Sequence, residues 1–413
     1  MFKSSRSLLK VFLGIVFCSF VSAASAADQK HLVVLQQPEF SITVGPYLQG
    51  PAQDSMTVMW LTSGESTSWV EYGSDKNNLD KKAVSVKAGL IDAGITLHKI
   101  RITGLQPGRK YFYRACSKHI LKFGAYKVKF GRTVKSDIYD FCTLDPKKKS
   151  ISFVVFNDIH ENVENFKARF ELIKNKPFDL VFLNGDHLST VHSEQQIVDK
   201  LLKPCTELFA HRVPFILVRG NHETRGSFSR MLSNYVDYPQ QRYYYSFDDG
   251  PVHFVILDSG EDKEDSHWAY SGMNSFDGYR DQQKIWLEKE IRSRSFRKAK
   301  FRVCLTHIPF FKPKDWYGPA ECRRKWMGLL NKGKIDLHIS GHTHKYEILQ
   351  PKRGEHCYPV VIGGGPKKGQ GTVTCVAAGK KKITVQVLDD TGKTIGTLEV
   401  KKKNRSLLGL LGL

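Results

Sequence analysis

The chain has 413 residues, 41% of them hydrophobic, with 33 Gly and 16 Pro. That length points to two domains, and the apolar share excludes a wholly disordered or collagen-like chain. With 63 Lys and Arg against 41 Asp and Glu, the formal charge is +22, which suits phosphorylated substrates, nucleic acid, acidic polysaccharide or a membrane surface.

Lys3, Arg6 and Lys10 precede an apolar run from Val11 to Val21, and Ala24-Ser25-Ala26 offers a small-residue cleavage site. Residues 1–26 therefore read as a signal peptide cut after Ala26, with a membrane anchor as the alternative. Cleavage implies a secreted or periplasmic protein with no stable membrane insertion. No other apolar run nears membrane length, which excludes a polytopic membrane protein. Cys18 follows Phe17, too large for a lipoprotein cleavage box.

Residues 40–145 read as an all-β unit. Ser55–Trp60, Ser68–Tyr72 and Lys110–Arg114 are rich in β-branched and aromatic residues, with turn signals such as Pro107-Gly108 between them. Short strands without helices predict a small β-sandwich with no catalytic cluster. Of the eight cysteines, which show no C-x-x-C spacing, Cys116 and Cys142 form the one pair expected to link, since their strands should be neighbours. Asp145 to Lys149 is a polar linker.

Apolar strands then alternate with helical periodicity, which predicts an α/β domain over 150–400. Strands are expected at Ile151–Phe156, Asp179–Leu183, Pro214–Val218, Val252–Leu257, Phe301–Thr306 and Ile335–Ser340. Val163–Ile173 and Gln282–Ile291 have helical apolar spacing. Ser193 and Gln196 form a capping box for a helix toward Leu208, kinked at Pro204. Cys304, inside an apolar strand, is expected to be a buried thiol. Between Glu290 and Lys334, 13 Lys and Arg face three acids. Four further strands lie between Pro359 and Val400, with a hairpin turn at Asp389-Asp390-Thr391-Gly392, and belong at the edge of the same domain. Residues 401–413 form a basic, flexible tail.

The strand ends carry the chemistry. One ends in Asn157-Asp158-Ile159-His160, the next in Asn184-Gly185-Asp186, and a third in Arg219-Gly220-Asn221-His222-Glu223. Two more end in His307 and in Gly341-His342-Thr343-His344. Carboxyl ends of strands in α/β sheets share one crevice. Oxygen and imidazole donors without sulfur suit borderline or hard divalent ions, and a carboxylate can bridge two of them. Such a pair grips the attacking and leaving oxygens of a phosphoryl group.

These five segments resemble the calcineurin-like metallophosphoesterases, over residues 151 to 365. Gly45-Pro46-Tyr47-Leu48-Gln49, Met56–Trp60, Leu105–Gly108 and Tyr111–Tyr113 resemble the fibronectin-like N-terminal domain of purple acid phosphatases. The resemblance implies a β-sandwich followed by a four-layer α/β domain. It implies two divalent ions, of Mn, Fe or Zn. One would be held by Asp158, His160, Asp186 and His344, the other by Asp186, Asn221, His307 and His342. Asp186 would bridge, and His222 would protonate or orient the leaving oxygen. Arg219 resembles an arginine that clamps phosphate in protein phosphatases.

The chain also departs from the purple enzymes. Their iron-binding Tyr is replaced here by Ser189, and their first-motif Gly by His160, so no tyrosinate-to-iron colour is expected. His187, the 260–279 stretch and the segment from Lys312 to Tyr317 stand near the motifs and could shape a substrate pocket. The leading reading is a secreted phosphomonoesterase in which hydroxide bridging the two ions attacks phosphorus in line. Alternatives are a phosphodiesterase or nuclease acting on anionic polymers, with nucleic acid as substrate only, and a non-catalytic binding module. The sequence leaves the oligomeric state open.

Overall fold

The computed structural model describes residues 39–311 and 316–402. The expected signal peptide, residues 312–315 and all but the first two residues of the expected tail lie outside the described residues. Among those described, no helix is long and apolar enough to cross a membrane.

The N-terminal part is β-rich and organised by one strand of 18 residues, Met56–Gly73. Its first half pairs with Ile42–Gln49 and Ile95–Ile102, and its second half with Lys110–Phe123. Trp60 is fully buried among Leu48, Val58, Ile100 and Tyr113. Its indole N–H donates to Ser117 Oγ at 2.9 Å, which satisfies the buried donor.

The expected Cys116–Cys142 link is not formed. Their strands are indeed neighbours, but the register sets Cys142 opposite Lys110 and Cys116 opposite Lys135 on another strand. Six residues along a strand is about 20 Å, far beyond disulfide reach. Both thiols are free, and burial pushes Cys116 up to about 12.

The α/β part holds two six-stranded sheets. In one, Phe215–Val218, Leu180–Asn184 and Ile151–Phe156 run parallel, and the antiparallel strands Thr372–Ala378, Lys382–Asp389 and Thr394–Lys401 extend its edge. In the other, Val252–Ile256, Phe301–Leu305, Leu337–Ser340 and Val360–Ile362 run parallel between two short antiparallel strands. The sheets face each other through Phe153, Phe182 and Phe254, with ring centroids 5.2–5.3 Å apart. Near-continuous apolar strands are what a sheet buried on both faces requires. Helices cover the outer faces: Phe166, Phe170 and Leu201 on the first sheet, and Leu287, Trp326 and Leu330 on the second. The result is four layers, with Cys304 buried in the second sheet.

Pro204 acts as its chemistry dictates. It sits in a helical stretch from Glu194 to Ala210 that widens into π-type turns on both sides of it. Proline cannot donate to the carbonyl four residues back, here that of Lys200. His187 Nε2 takes up that carbonyl at 3.1 Å.

The polar segment after Asp145 is anchored rather than loose. Lys148 pairs with Asp249 at 2.7 Å and with Asp179 at 3.1 Å. The β-rich part is also fastened to the α/β part. Tyr47 Oη donates to Tyr235 O, Gln49 Nε2 to Phe215 O and Tyr113 Oη to His211 O, at 2.8–3.0 Å. Val44, Tyr47, Met59 and Leu61 enter the same apolar core as the first helical layer. The described chain from Phe40 onward is accordingly one compact unit.

Candidate metal centre

The parallel strands of both sheets point their carboxyl ends at one cleft. Asp158 and His160 follow Ile151–Phe156, Asp186 follows Leu180–Asn184, and Asn221 and His222 follow Phe215–Val218. His307 follows Phe301–Leu305, and His342 and His344 follow Leu337–Ser340. Donor atoms of Asp158, His160 and His344 lie within 4.8 Å of one another, as do those of Asp186, His307 and His342. His344 Nε2 is 3.3 Å from Asp158 Oδ1, and His307 Nε2 is 3.0 Å from Asp186 Oδ2. His160 Nε2 is 3.1 Å from His344 Nε2 and 3.7 Å from Asp186 Oδ2. Asn221 Oδ1 lies 3.0 Å from His342 Nδ1.

This convergence carries local strain. Asp158, His160, Asp186, His342 and His344 all have φ between 46° and 70°, the left-handed region that non-glycine residues avoid. Each such residue costs on the order of 1 kcal/mol or more. Strain of this kind concentrates where side chains must be aimed rather than packed. Glycine makes the crowding feasible: a Cβ at Gly185 would strike the His307 ring, and one at Gly341 would strike Asp158. Gly185 also has φ +85°, but at Gly341 the need is for space alone.

The surroundings fit a cation. Among the described residues, the buried Asp158 Oδ1 accepts no hydrogen bond, whereas Oδ2 accepts from Asn157 Nδ2 and His342 N. Burial alone would lower His307, but Asp186 and Asp158 outweigh it and lift it to about 10, so the carboxylates favour positive charge here. Burial, helped by His307, holds His342 down to about 4, as the neutral imidazole a metal requires. His307 Nδ1 donates to Asn184 O at 2.8 Å, which turns Nε2 toward the carboxylates.

Glu223 supports the centre from beneath. Fully buried, it accepts from the backbone N–H groups of Asp186 and Gly220 on Oε2 and of Leu188 on Oε1, at 2.8–2.9 Å. Burial and the Asp186 charge push its carboxyl upward, and the N–H donors of Leu188 and Asp186 oppose that rise without cancelling it.

His222 lies beside the cluster. Its backbone N–H donates to Asp186 Oδ1 and its Nδ1 lies 2.7 Å from Ser189 O. A carbonyl only accepts, so Nδ1 is the protonated nitrogen and Nε2 faces the cleft, 3.9 Å from Asp186 Oδ2. Ser189 Oγ stands 3.5 Å from His160 Nδ1, so the imidazole intervenes between it and the carboxylates.

Arg219 does not occupy the place expected of a phosphate clamp. Its guanidinium pairs with Asp258 at 2.6 Å and stacks 3.9 Å over Tyr243, outside the residues lining the cleft. Asp258 is fully buried, and the ion pair holds the guanidinium there. The arginine lining the cleft is Arg225, which the motifs did not single out. It grips Glu261 at 2.7 and 2.8 Å and reaches His222 Nε2 at 3.3 Å. Lys263, 2.8 Å from Asp262, lies 4.5 Å over the exposed Trp316 ring at the rim. The 260–279 stretch thus supplies Asp262 and Lys263 to a cleft of about 510 Å³, and a buried Glu261 beneath it. His187 points away, into the core beside Phe166.

Comparison with known proteins agrees with this architecture. A family model described as Calcineurin-like phosphoesterase matches residues 151–346, and one described as Purple acid Phosphatase, N-terminal domain matches residues 43–143. Purple acid phosphatase 21 of Arabidopsis thaliana is 27% identical over 342 residues, 77% of this chain and 70% of that protein. Acid phosphatase type 7 of Mus musculus is 24% identical over 332 residues, 74% of this chain and 69% of that protein. A purple acid phosphatase from yellow lupin (Lupinus luteus) seeds has the same fold, with a TM-score of 0.67 at 17% identity, over 89% of this chain and 75% of that one. Fold, donor set and matches together define a phosphoesterase, an enzyme acting on phosphorylated substrates. Residues 151–346 form a calcineurin-like phosphoesterase domain, and a purple acid phosphatase N-terminal domain precedes it over residues 43–143.

Proposed function

We propose that the enzyme is a secreted or periplasmic phosphomonoesterase with two divalent ions, of Mn, Fe or Zn, at the strand-end cluster. Asp158, His160, Asp186 and His344 would hold one ion, and Asp186, Asn221, His307 and His342 the other. The observation that carries this reading is the set of five donor residues on left-handed backbone, Asp158 among them with a buried Oδ1 that accepts no hydrogen bond among the described residues. When bound, such a pair of ions polarises phosphoryl oxygens and supplies a nucleophilic water at neutral pH.

The chain's own residues do the rest. The Asn184 carbonyl and the Glu223 carboxylate fix the orientation of His307 and the backbone of Asp186. His222, held through Nδ1 by Ser189 O, presents Nε2 to the cleft, where it can carry a proton to the leaving oxygen. Arg225 steadies that ring, and its charge is neutralised by Glu261. Small monoesters are favoured over polymers because, among the described residues, both cations lining the cleft, Arg225 and Lys263, already have acidic partners. A groove tracking a polyanion keeps its cations for the strand.

The test is turnover of metal-reconstituted protein on aryl phosphate monoesters, diesters and nucleotides. Monoesters should be fastest, and chelation should abolish activity until Mn²⁺, Fe²⁺ or Zn²⁺ is returned. Faster diester cleavage with steep salt dependence would favour the polymer reading. No turnover on any of them would favour a binding module.

A further inference from the structure

The β-rich part exposes apolar side chains that its fold does not need. Among the described residues, eight of the fifteen exposed large hydrophobic side chains lie between Val86 and Phe130. Val86, Leu90 and Ile91 belong to a small hairpin of the strands Val86–Lys87 and Leu90–Ile91. Leu121, Phe123, Tyr126 and Phe130 belong to the hairpin of Lys110–Phe123 and Val128–Lys135, and Tyr126 at its turn is wholly exposed. The two hairpins adjoin: a Cβ on Gly94, just past the first, would sit 3.6 Å from the Phe123 ring.

Cations are interleaved with these side chains. Residues 115–136 contain Lys118, Lys122, Lys127, Lys129, Arg132 and Lys135 and no Asp or Glu. Lys122 stands directly opposite Lys129 across the strand pair. Like charges facing each other destabilise a hairpin, so the fold alone gives no reason for the arrangement. An anionic partner does.

From this we propose that the paired hairpin tips dock on an anionic phospholipid bilayer, with Phe123, Tyr126 and Leu90 entering the headgroup–acyl boundary and Lys122, Lys127 and Lys129 meeting lipid phosphates. Tyrosine at the interface and lysine beside it are the side chains a bilayer surface favours. The aliphatic Val86, Leu90, Ile91 and Leu121 decide against nucleic acid, where aromatic faces and cations bind but aliphatic surface gains nothing. The site is independent of the catalytic centre, and binding here is peripheral.

The test is vesicle flotation of the full chain, comparing neutral phosphatidylcholine vesicles with vesicles holding about 30% phosphatidylglycerol. The chain should float only with the anionic vesicles and be released by about 0.5 M salt. Lys122→Gln, Lys127→Gln and Lys129→Gln together should lower partitioning about a hundredfold, at about fivefold per lysine. Leu90→Ser, Phe123→Ser and Tyr126→Ser together should lower it at least about tenfold at unchanged salt. Both triple variants alter exposed side chains and should keep wild-type circular dichroism and hydrolysis of a soluble ester. Absence of wild-type flotation would overturn the proposal. So would wild-type flotation by both variants, which would place binding elsewhere in the chain. Loss with the lysine variant but not the apolar one would reduce the effect to plain charge attraction and overturn insertion. Complete displacement of vesicles by a DNA duplex at equal phosphate would make nucleic acid the partner instead.

Discussion

Replacing Glu223 by Gln removes one charge and almost no volume, so its effect measures what the buried carboxylate does. Oε2 accepts from Asp186 N and Gly220 N, and Oε1 from Leu188 N. A glutamine can keep its oxygen on one side only, so its NH₂ group must then face a buried N–H donor on the other. At least one charge-assisted bond is lost and one donor is stranded, at a cost of about 2–4 kcal/mol. For a chain of this size each kcal/mol lowers Tm by about 1.3 °C, so a fall of about 3–5 °C is expected. Because Asp186 hangs on this clamp, metal affinity should also weaken by about 10–100-fold. Thermal scans in chelator isolate the first effect, and metal titration the second. If the scans agree within about 1 °C and the titrations coincide, Glu223 is not clamping Asp186 as an ionised carboxylate.

Other outcomes follow from the same geometry. His222→Ala should retain its metal and lose about 10²–10⁴-fold in rate, most for substrates with poor leaving groups; loss of metal instead would make His222 a ligand. Arg219→Ala should act on stability, by about 3–5 kcal/mol from the stranded Asp258, whereas Arg225→Ala should act on kcat/KM; chemical denaturation and steady-state kinetics separate the two, and the reverse pattern would restore the clamp to Arg219. His253 is buried 2.7 Å from Asp248 and 3.1 Å from Glu290, and these partners outweigh burial and raise its pKa. Its stabilising effect is full below the unfolded value of about 6.5 and is lost as pH rises through the raised folded value, so the Tm gap between wild type and His253→Gln should shrink from pH 6 to 9. A gap that widens over that range would refute the assignment.

Strand ends were readable because their signal is local. An apolar run marks each strand, and the Asp, Asn or His after it has only one crevice to enter. Interactions between distant segments left no such signal. Arg225 and Glu261 are 36 residues apart, and only the folded chain brings them to the cleft. Arg219 sits beside the Gly220-Asn221-His222-Glu223 motif, yet Asp258, on the loop after a strand of the opposite sheet, draws its side chain away. The cysteine pair failed on register: neighbouring strands were correctly expected, but pairing depends on turn lengths that composition does not encode. His187 was ambiguous for a similar reason, since its partner carbonyl is released by Pro204.

In the proposed centre Asp186 joins two metal sites. Metal content per chain, measured by mass spectrometry alongside turnover for wild type and Asp186→Asn, decides whether it does. Wild type should carry two ions per chain, with turnover rising and falling with their occupancy, and Asp186→Asn should lose both ions and the activity together. Full turnover in chelator with no metal detected, or an Asp186→Asn enzyme that stays loaded and active, would contradict it.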